Sequence, residues 1–184
     1  AETDKIICNK LSNILKSEYP SKAFNFNNFI ELGYAIQEDI AIFHRSNKLI
    51  ALHVSFPSVW EPKEKIGLSF AQIHKPVPGM ENFLKNEDKY VQMMVEATTP
   101  IIRYVWGEHY GYYLCEHEPL QKNIKVMHTE RQTFIGVPES DIGIFLIRKK
   151  VILYKDTTTE FKIWYEKQVN SMSEDQRKYK LKEV

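Results

Sequence analysis

Apolar and polar positions alternate with two different periods along this chain. Ile6, Ile7, Leu11, Ile14 and Leu15 recur at helical spacing, which predicts a short amphipathic helix ended by Pro20 and the Asn-rich stretch Phe24–Phe29. Tyr34–Ile36, Ile40–His44 and Leu49–Phe56 read as strands, with Glu38-Asp39 and Arg45-Ser46-Asn47 as the turns of an antiparallel meander. From Glu81 to about Val105, Leu84, Val91, Met94, Val95, Ile101 and Ile102 lie roughly on one helical face, and Pro100 should kink or break that helix. Tyr110–Cys115 reads as a strand. Lys125–Phe134 alternates, with Val126, His128, Glu130, Gln132 and Phe134 on one face and Met127, Thr129, Arg131 and Thr133 on the other. Ile142–Tyr154 is a long apolar strand interrupted by Arg148-Lys149-Lys150, and Thr157–Met172 returns to helical spacing through Phe161, Trp164, Tyr165 and Val169.

Strands outnumber helices and no βαβ alternation occurs. The pattern predicts an α+β fold with a mostly antiparallel sheet. A single domain over residues 1–184 is expected, with residues 1–30 as a helical or irregular N-terminal extension. Residues 157–184 form a C-terminal helix and tail, whose basic run Arg177–Lys182 is solvated.

The segment Phe56–Gly79 breaks both periods. It holds four prolines, two glycines, Trp60 and His74. Proline fixes φ and removes a backbone donor, so this stretch is neither one ordinary helix nor a central strand. Pro62 suits the first turn of a short helix that ends near Gly67. A stretch this stiff is suited to holding side chains in a set geometry.

Composition narrows the classes of function. Hydrophobic residues are 43%, charged residues 27% and the net charge is +1, which fits a globular domain and gives no electrostatic footprint for nucleic acid or a membrane surface. No apolar run approaches the roughly 20 residues a membrane helix needs. The start of the chain has no signal pattern, and the two cysteines, Cys8 and Cys115, form neither a disulfide framework nor a metal knuckle. A cytoplasmic protein with free thiols is the expectation. There is no phosphate-binding loop, no dinucleotide fingerprint, no nucleophile elbow and no set of ligands at zinc spacing.

Chemistry therefore falls to a few side chains. His74 lies between Leu68–Ile73 and Pro76-Val77-Pro78, where a neutral imidazole could ligate iron or zinc or, as readily, pin the loop by hydrogen bonding. His128, Glu130 and Gln132 share a face that could bind a cationic amine or relay protons, or could be the solvated face of an edge strand. Arg131 or Arg103 could hold a carboxylate in bidentate fashion. Trp60 and Trp106 suit a core. His109 and His117 flank the strand at Tyr110–Cys115.

The motifs Phe56-Pro-Ser-x-Trp60, Lys65-x-Gly67, Ile73-His74-x-Pro76-Val77-Pro78, Arg103-x-x-Trp106 and Glu130-Arg131-Gln132-Thr133 occur in this order, and Met172-Ser-Glu-Asp-x-x-x-Lys178-Tyr179-Lys180 closes the chain. Across about residues 40–182 the sequence resembles the haem-dependent oxidative N-demethylases. The resemblance implies a PAS-like fold of about five antiparallel strands with flanking helices, holding haem b. It implies oxidation of a secondary methylamine such as dimethylamine to a primary amine and formaldehyde by dioxygen. Electrons would come from a separate NADPH-, flavin- and iron–sulfur-dependent reductase, and a homo-oligomer is possible.

Carried onto this chain, the resemblance makes His74 the proximal iron ligand and Glu130 the amine or proton partner, with His128 beside it. Arg131 or Arg103 would pair with a haem propionate, and Trp60 would pack against the macrocycle. Two departures stand out: His128 where members tend to carry arginine, and Ile147-Arg-Lys-Lys150 in place of Ile-Arg-Thr-Tyr. The same fold would serve a PAS-type haem or small-ligand sensor without turnover, or a haem-free assembly subunit.

Overall fold

A computed structural model describes residues 2–18, 20, 26–55, 61–111 and 124–181. The strands are β1 (Asp39–His44), β2 (Lys48–His53), β3 (Ile101–Tyr110), β4 (Lys125–Val137) and β5 (Ile142–Leu153). They form one antiparallel sheet in the order β2-β1-β5-β4-β3. The helices are α1 (Glu2–Glu18), α2 (Phe29–Ala35), α3 (Phe70–His74), α4 (Glu81–Leu84), α5 (Glu87–Glu96), α6 (Thr159–Ser171) and α7 (Glu174–Lys180). A five-stranded antiparallel sheet with flanking helices is the PAS-like α+β class expected.

The alternation read in residues 125–134 is what the sheet uses. In β4, Ile135 and Val137 point towards α1 and α2, where Ile7, Cys8, Leu11, Leu15 and Leu32 pack against Ile40, Ile42, Ile142, Ile144 and Leu146. Burying each such aliphatic side chain is worth roughly 1.5–3 kcal/mol, enough to make α1 integral to the domain. Phe134 points the other way and stacks on Phe145 at 4.6 Å. Both pack with Phe43, Leu49, Phe70, Val91, Met94 and Val95 beneath α3 and α5. A third cluster joins α6 to the far ends of β3–β5 through Met127, Tyr165 and Leu181.

Four expectations change. Tyr34–Ile36 is not a strand: Asn28 caps α2 by accepting from the Glu31 amide at 3.0 Å, and the helix runs through Tyr34. The helix expected over residues 81–105 divides into α4 and α5 and stops at Glu96. Beyond Pro100, Ile101 and Ile102 begin β3, because pairing with β4 outweighs their helical spacing. Arg148, Lys149 and Lys150 do not interrupt β5, since successive residues alternate faces and the ladder absorbs them. The basic C-terminal run is not simply solvated. It forms most of α7, Leu181 makes a parallel bridge with Glu108, and Lys180 Nζ donates to the Trp106 carbonyl at 2.9 Å. The strand expected at Tyr110–Cys115 lies mostly outside the described residues.

Glycine at position 136 lets α5 approach the sheet. Its amide donates to the Ala97 carbonyl at 2.7 Å, and a Cβ there would strike the Val95 carbonyl and come within 2.9 Å of the Ala97 nitrogen. Those obstacles are backbone and cannot rotate away. Gly136→Ala is expected to lower unfolding stability by about 1–3 kcal/mol or more, read as a lower urea midpoint at unchanged slope.

Candidate functional site

Helix α3 is only five residues long, so its position is set by partners at its start. Ser69 and Gln72 form a reciprocal capping box. The Phe70 amide donates to Asn47 Oδ1 at 2.9 Å, and Asn47 sits in the β1–β2 turn with φ 59°. Glu87 on α5 accepts from Ser69 Oγ at 2.9 Å and from the Ala71 amide at 2.5 Å. Burial alone would raise the Glu87 carboxyl, but the hydrogen bonds from Asn47, Ala71 and Ser69 outweigh it and hold the group below its ordinary value.

These contacts place His74 at the end of α3. Its Nδ1 lies 2.8 Å from the Phe70 carbonyl, which can only accept, so Nδ1 carries the proton and Nε2 carries the lone pair. The imidazole stacks on the Phe70 ring at 4.0 Å. Burial, reinforced by the positive charge of Arg103, lowers its pKa below the usual imidazole value and keeps the ring neutral. A neutral imidazole with one nitrogen tied to a backbone carbonyl is the arrangement found in histidine metal ligands.

The sheet face under α3 carries a chain of polar contacts. Arg103 Nε donates to Gln132 Oε1 at 2.6 Å, and Gln132 Nε2 donates to Glu130 Oε2 at 2.8 Å. Arg103 also lies 5.4 Å from the centroid of the Phe134 ring. Directly opposite Glu130 on β5 is Lys149, which is buried. Two residues along β4, the His128 ring lies 5.2 Å from that of His109, which reaches it diagonally across β3 past Gly107. Lys180 is shifted downward by burial, against the pull of Glu130.

The structure thus brings His74, Arg103, Glu130 and His128 to one side of the sheet. Arg131 points to the other side. There it pairs with Glu18 at the end of α1, while Arg148 bridges Glu18 and Glu38. Trp60 lies outside the described residues. Sequence reasoning missed Gln132 as the link between Arg103 and Glu130, and Lys149 and His109 as neighbours. His109 would have been found by running the alternation of β3 backwards from Tyr110.

Haem can be tested against these groups. The tautomer of His74, with its lone pair on Nε2, fits a ligand to iron. The cations Arg103 and Lys149 beside Glu130 fit the anionic edge of a porphyrin with two propionates. Two cavities among the described residues lie elsewhere. One of about 10 Å³ is closed in beneath α1 beside Glu18 and Arg131, and an open depression of about 420 Å³ lies outside α5 along Lys89, Met93 and Ile101. No helix among the described residues is long and apolar enough to cross a membrane.

Fold and site together define a PAS-like domain in which a buried, neutral histidine lies over the sheet. The family model described as haem-dependent oxidative N-demethylase, alpha subunit-like, matches residues 3–184, and the chain belongs to that family. No curated protein matches the sequence. Among solved structures, a sensory box sensor histidine kinase from Vibrio cholerae is similar over 78% of this chain and 98% of that chain, at 10% identity and a TM-score of 0.35. Likeness at that level bears on neither activity nor ligand.

The lowered pKa of His74 has a consequence for the haem-free protein. As pH falls, the unfolded chain takes up this proton at its ordinary value near 6.5, while the folded chain resists until lower pH. The contribution of His74 is therefore complete above that value and declines as pH drops through it. Urea midpoints between about pH 7.5 and 5 should fall more steeply for the wild type than for His74→Gln.

Proposed function

We propose that this chain is the haem-bearing subunit of an oxidative N-demethylase. Its substrate is a secondary methylamine such as dimethylamine, and its products are a primary amine and formaldehyde. One dioxygen, two electrons and two protons are consumed per turnover, and one water leaves with the products. The electrons come from a separate NADPH-, flavin- and iron–sulfur-dependent reductase. The observation that carries this reading is the hydrogen bond from His74 Nδ1 to the Phe70 carbonyl, which leaves Nε2 as a neutral, fixed donor. Family membership supports it.

Haem b, when bound, supplies an iron that activates dioxygen. His74 would hold the iron through Nε2, and Arg103 would pair with a propionate, assisted by Lys149. Arg131 is committed to Glu18 on the reverse face, so the propionate role passes to Arg103. Glu130 holds the ammonium form of the substrate through Oε1, since Oε2 already accepts from Gln132. It also takes the proton that the amine must lose. His128, next along the same face, passes that proton onward.

Purified protein supplied with haem is expected to show a Soret band that shifts with carbon monoxide on reduction. His74→Ala should lose that signature while Arg131→Ala keeps it. Formaldehyde release from dimethylamine with a supplied reductant should follow, and Glu130→Gln should lower its rate by about 10²-fold or more. A Soret band with no formaldehyde from any of several methylated amines would instead make the chain a haem sensor. An unchanged spectrum in His74→Ala would move the ligand to another residue.

A further inference from the structure

The outer side of α5 and the start of β3 share an open apolar surface. Val91, Met94 and Val95 face the core, which turns Lys89, Gln92, Met93 and Glu96 outward at the spacing of one helical face. Beside them, Ala97 and Ile101 complete the open depression of about 420 Å³. Met93 is 45% exposed and Ile101 42%. Because β3 is the outermost strand on this side, the apolar surface continues round its edge to the exposed Ile102. Contiguous apolar surface with a polar rim marks a docking face.

The rim carries one charge of each sign, two helical turns apart. Lys89 has no carboxylate partner among the described residues. Glu96 accepts through Oε1 alone, from Arg45 Nη1 at 3.1 Å and Gln92 Nε2 at 3.0 Å, which leaves Oε2 for a further donor.

We propose that this face is the contact between two copies of the chain, related by a two-fold axis that sets their α5 helices antiparallel. An axis passing between residues 92 and 93 places Lys89 opposite Glu96 of the partner subunit, and Glu96 opposite the partner's Lys89. One symmetry operation forms both ion pairs, so the charge pattern is its own complement, as an isologous contact requires. That self-complementarity is what selects a second copy as the occupant. Met93 then crosses the axis and lies in the depression between the partner's α5 and the partner's Ile101. Its unbranched, flexible thioether suits a shallow site. Burial of Met93 and Ile101 supplies the affinity, and the exposed ion pairs fix the register. A contact built on one ten-residue helix is small, so the dimer is reversible, with a dissociation constant on the order of 10⁻⁵ to 10⁻⁴ M.

Neither haem nor turnover enters the test, so it stands apart from the function proposed above. Sedimentation equilibrium of the full chain, over about 5–500 µM, is expected to show a monomer passing to a dimer. Met93→Glu should weaken association by about ten-fold or more. Lys89→Glu and Glu96→Lys each set like charges across the axis, and each should weaken it by about ten-fold. Mixed in equal parts, these two variants should associate at wild-type strength, because the anion introduced at position 89 faces the cation introduced at position 96. Mixing would not cure a loss caused by misfolding. A monomer at every concentration, a dimer indifferent to Met93→Glu, charge variants that associate as the wild type does, or no recovery on mixing would overturn the proposal.

Discussion

The ladder between β4 and β5 runs unbroken from Val126 opposite Leu153 to Val137 opposite Ile142. Because side chains alternate along paired strands, this one register fixes which groups can meet anywhere in the domain. A slip of β4 by one residue would send Phe134 under α1 and turn Ile135 towards α5, away from the Phe145 and Ile144 side chains they adjoin on β5. Both cores would be lost at once. The ladder therefore holds the two apolar layers apart and, between them, two separate sets of charges.

Those two sets differ in kind. On the α1 face the charges close on one another: Arg131 meets Glu18, and Arg148 spans Glu18 and Glu38. Removing one member would leave a poorly hydrated charge without its counter-ion, so the network resists partial change. It ties the end of α1 to the sheet. On the other face, Arg103 is linked through Gln132 to Glu130, and Lys149 stands opposite Glu130 on β5. An excess of one sign at a sheltered surface favours a bound group of the opposite sign. Neighbouring positions in the sequence, Glu130 and Arg131, thus meet different partners on opposite faces of the sheet.

His74 reaches this face from outside the sheet. Its helix is too short to hold itself, and its position depends on Asn47 in the first hairpin and Glu87 on α5. The hairpin, the helix and the sheet are coupled through these two polar side chains. A change in any one of them is felt at the imidazole without touching it, a coupling familiar from the outer contacts of metal ligands.

Much of the frame was legible from local pattern. The period-two alternation of residues 125–134 placed His128, Glu130 and Gln132 on one face and Arg131 on the other, because a strand's side-chain geometry is a local property. The Pro-rich segment marked His74 for the same reason. What local pattern could not supply was partnership. Ile101 and Ile102 fit a helix by spacing and became β3 only because β4 lay beside them. Tyr34–Ile36 looked extended until the cap at Asn28 closed a helical turn. His109 next to His128 and Gln132 between Arg103 and Glu130 both join positions far apart in sequence, or on different strands. The sequence alone thus determined the faces of each element and the kinds of chemistry available. Tertiary structure decided which of those groups meet, because contact between distant residues is fixed by register and packing, which no single segment encodes.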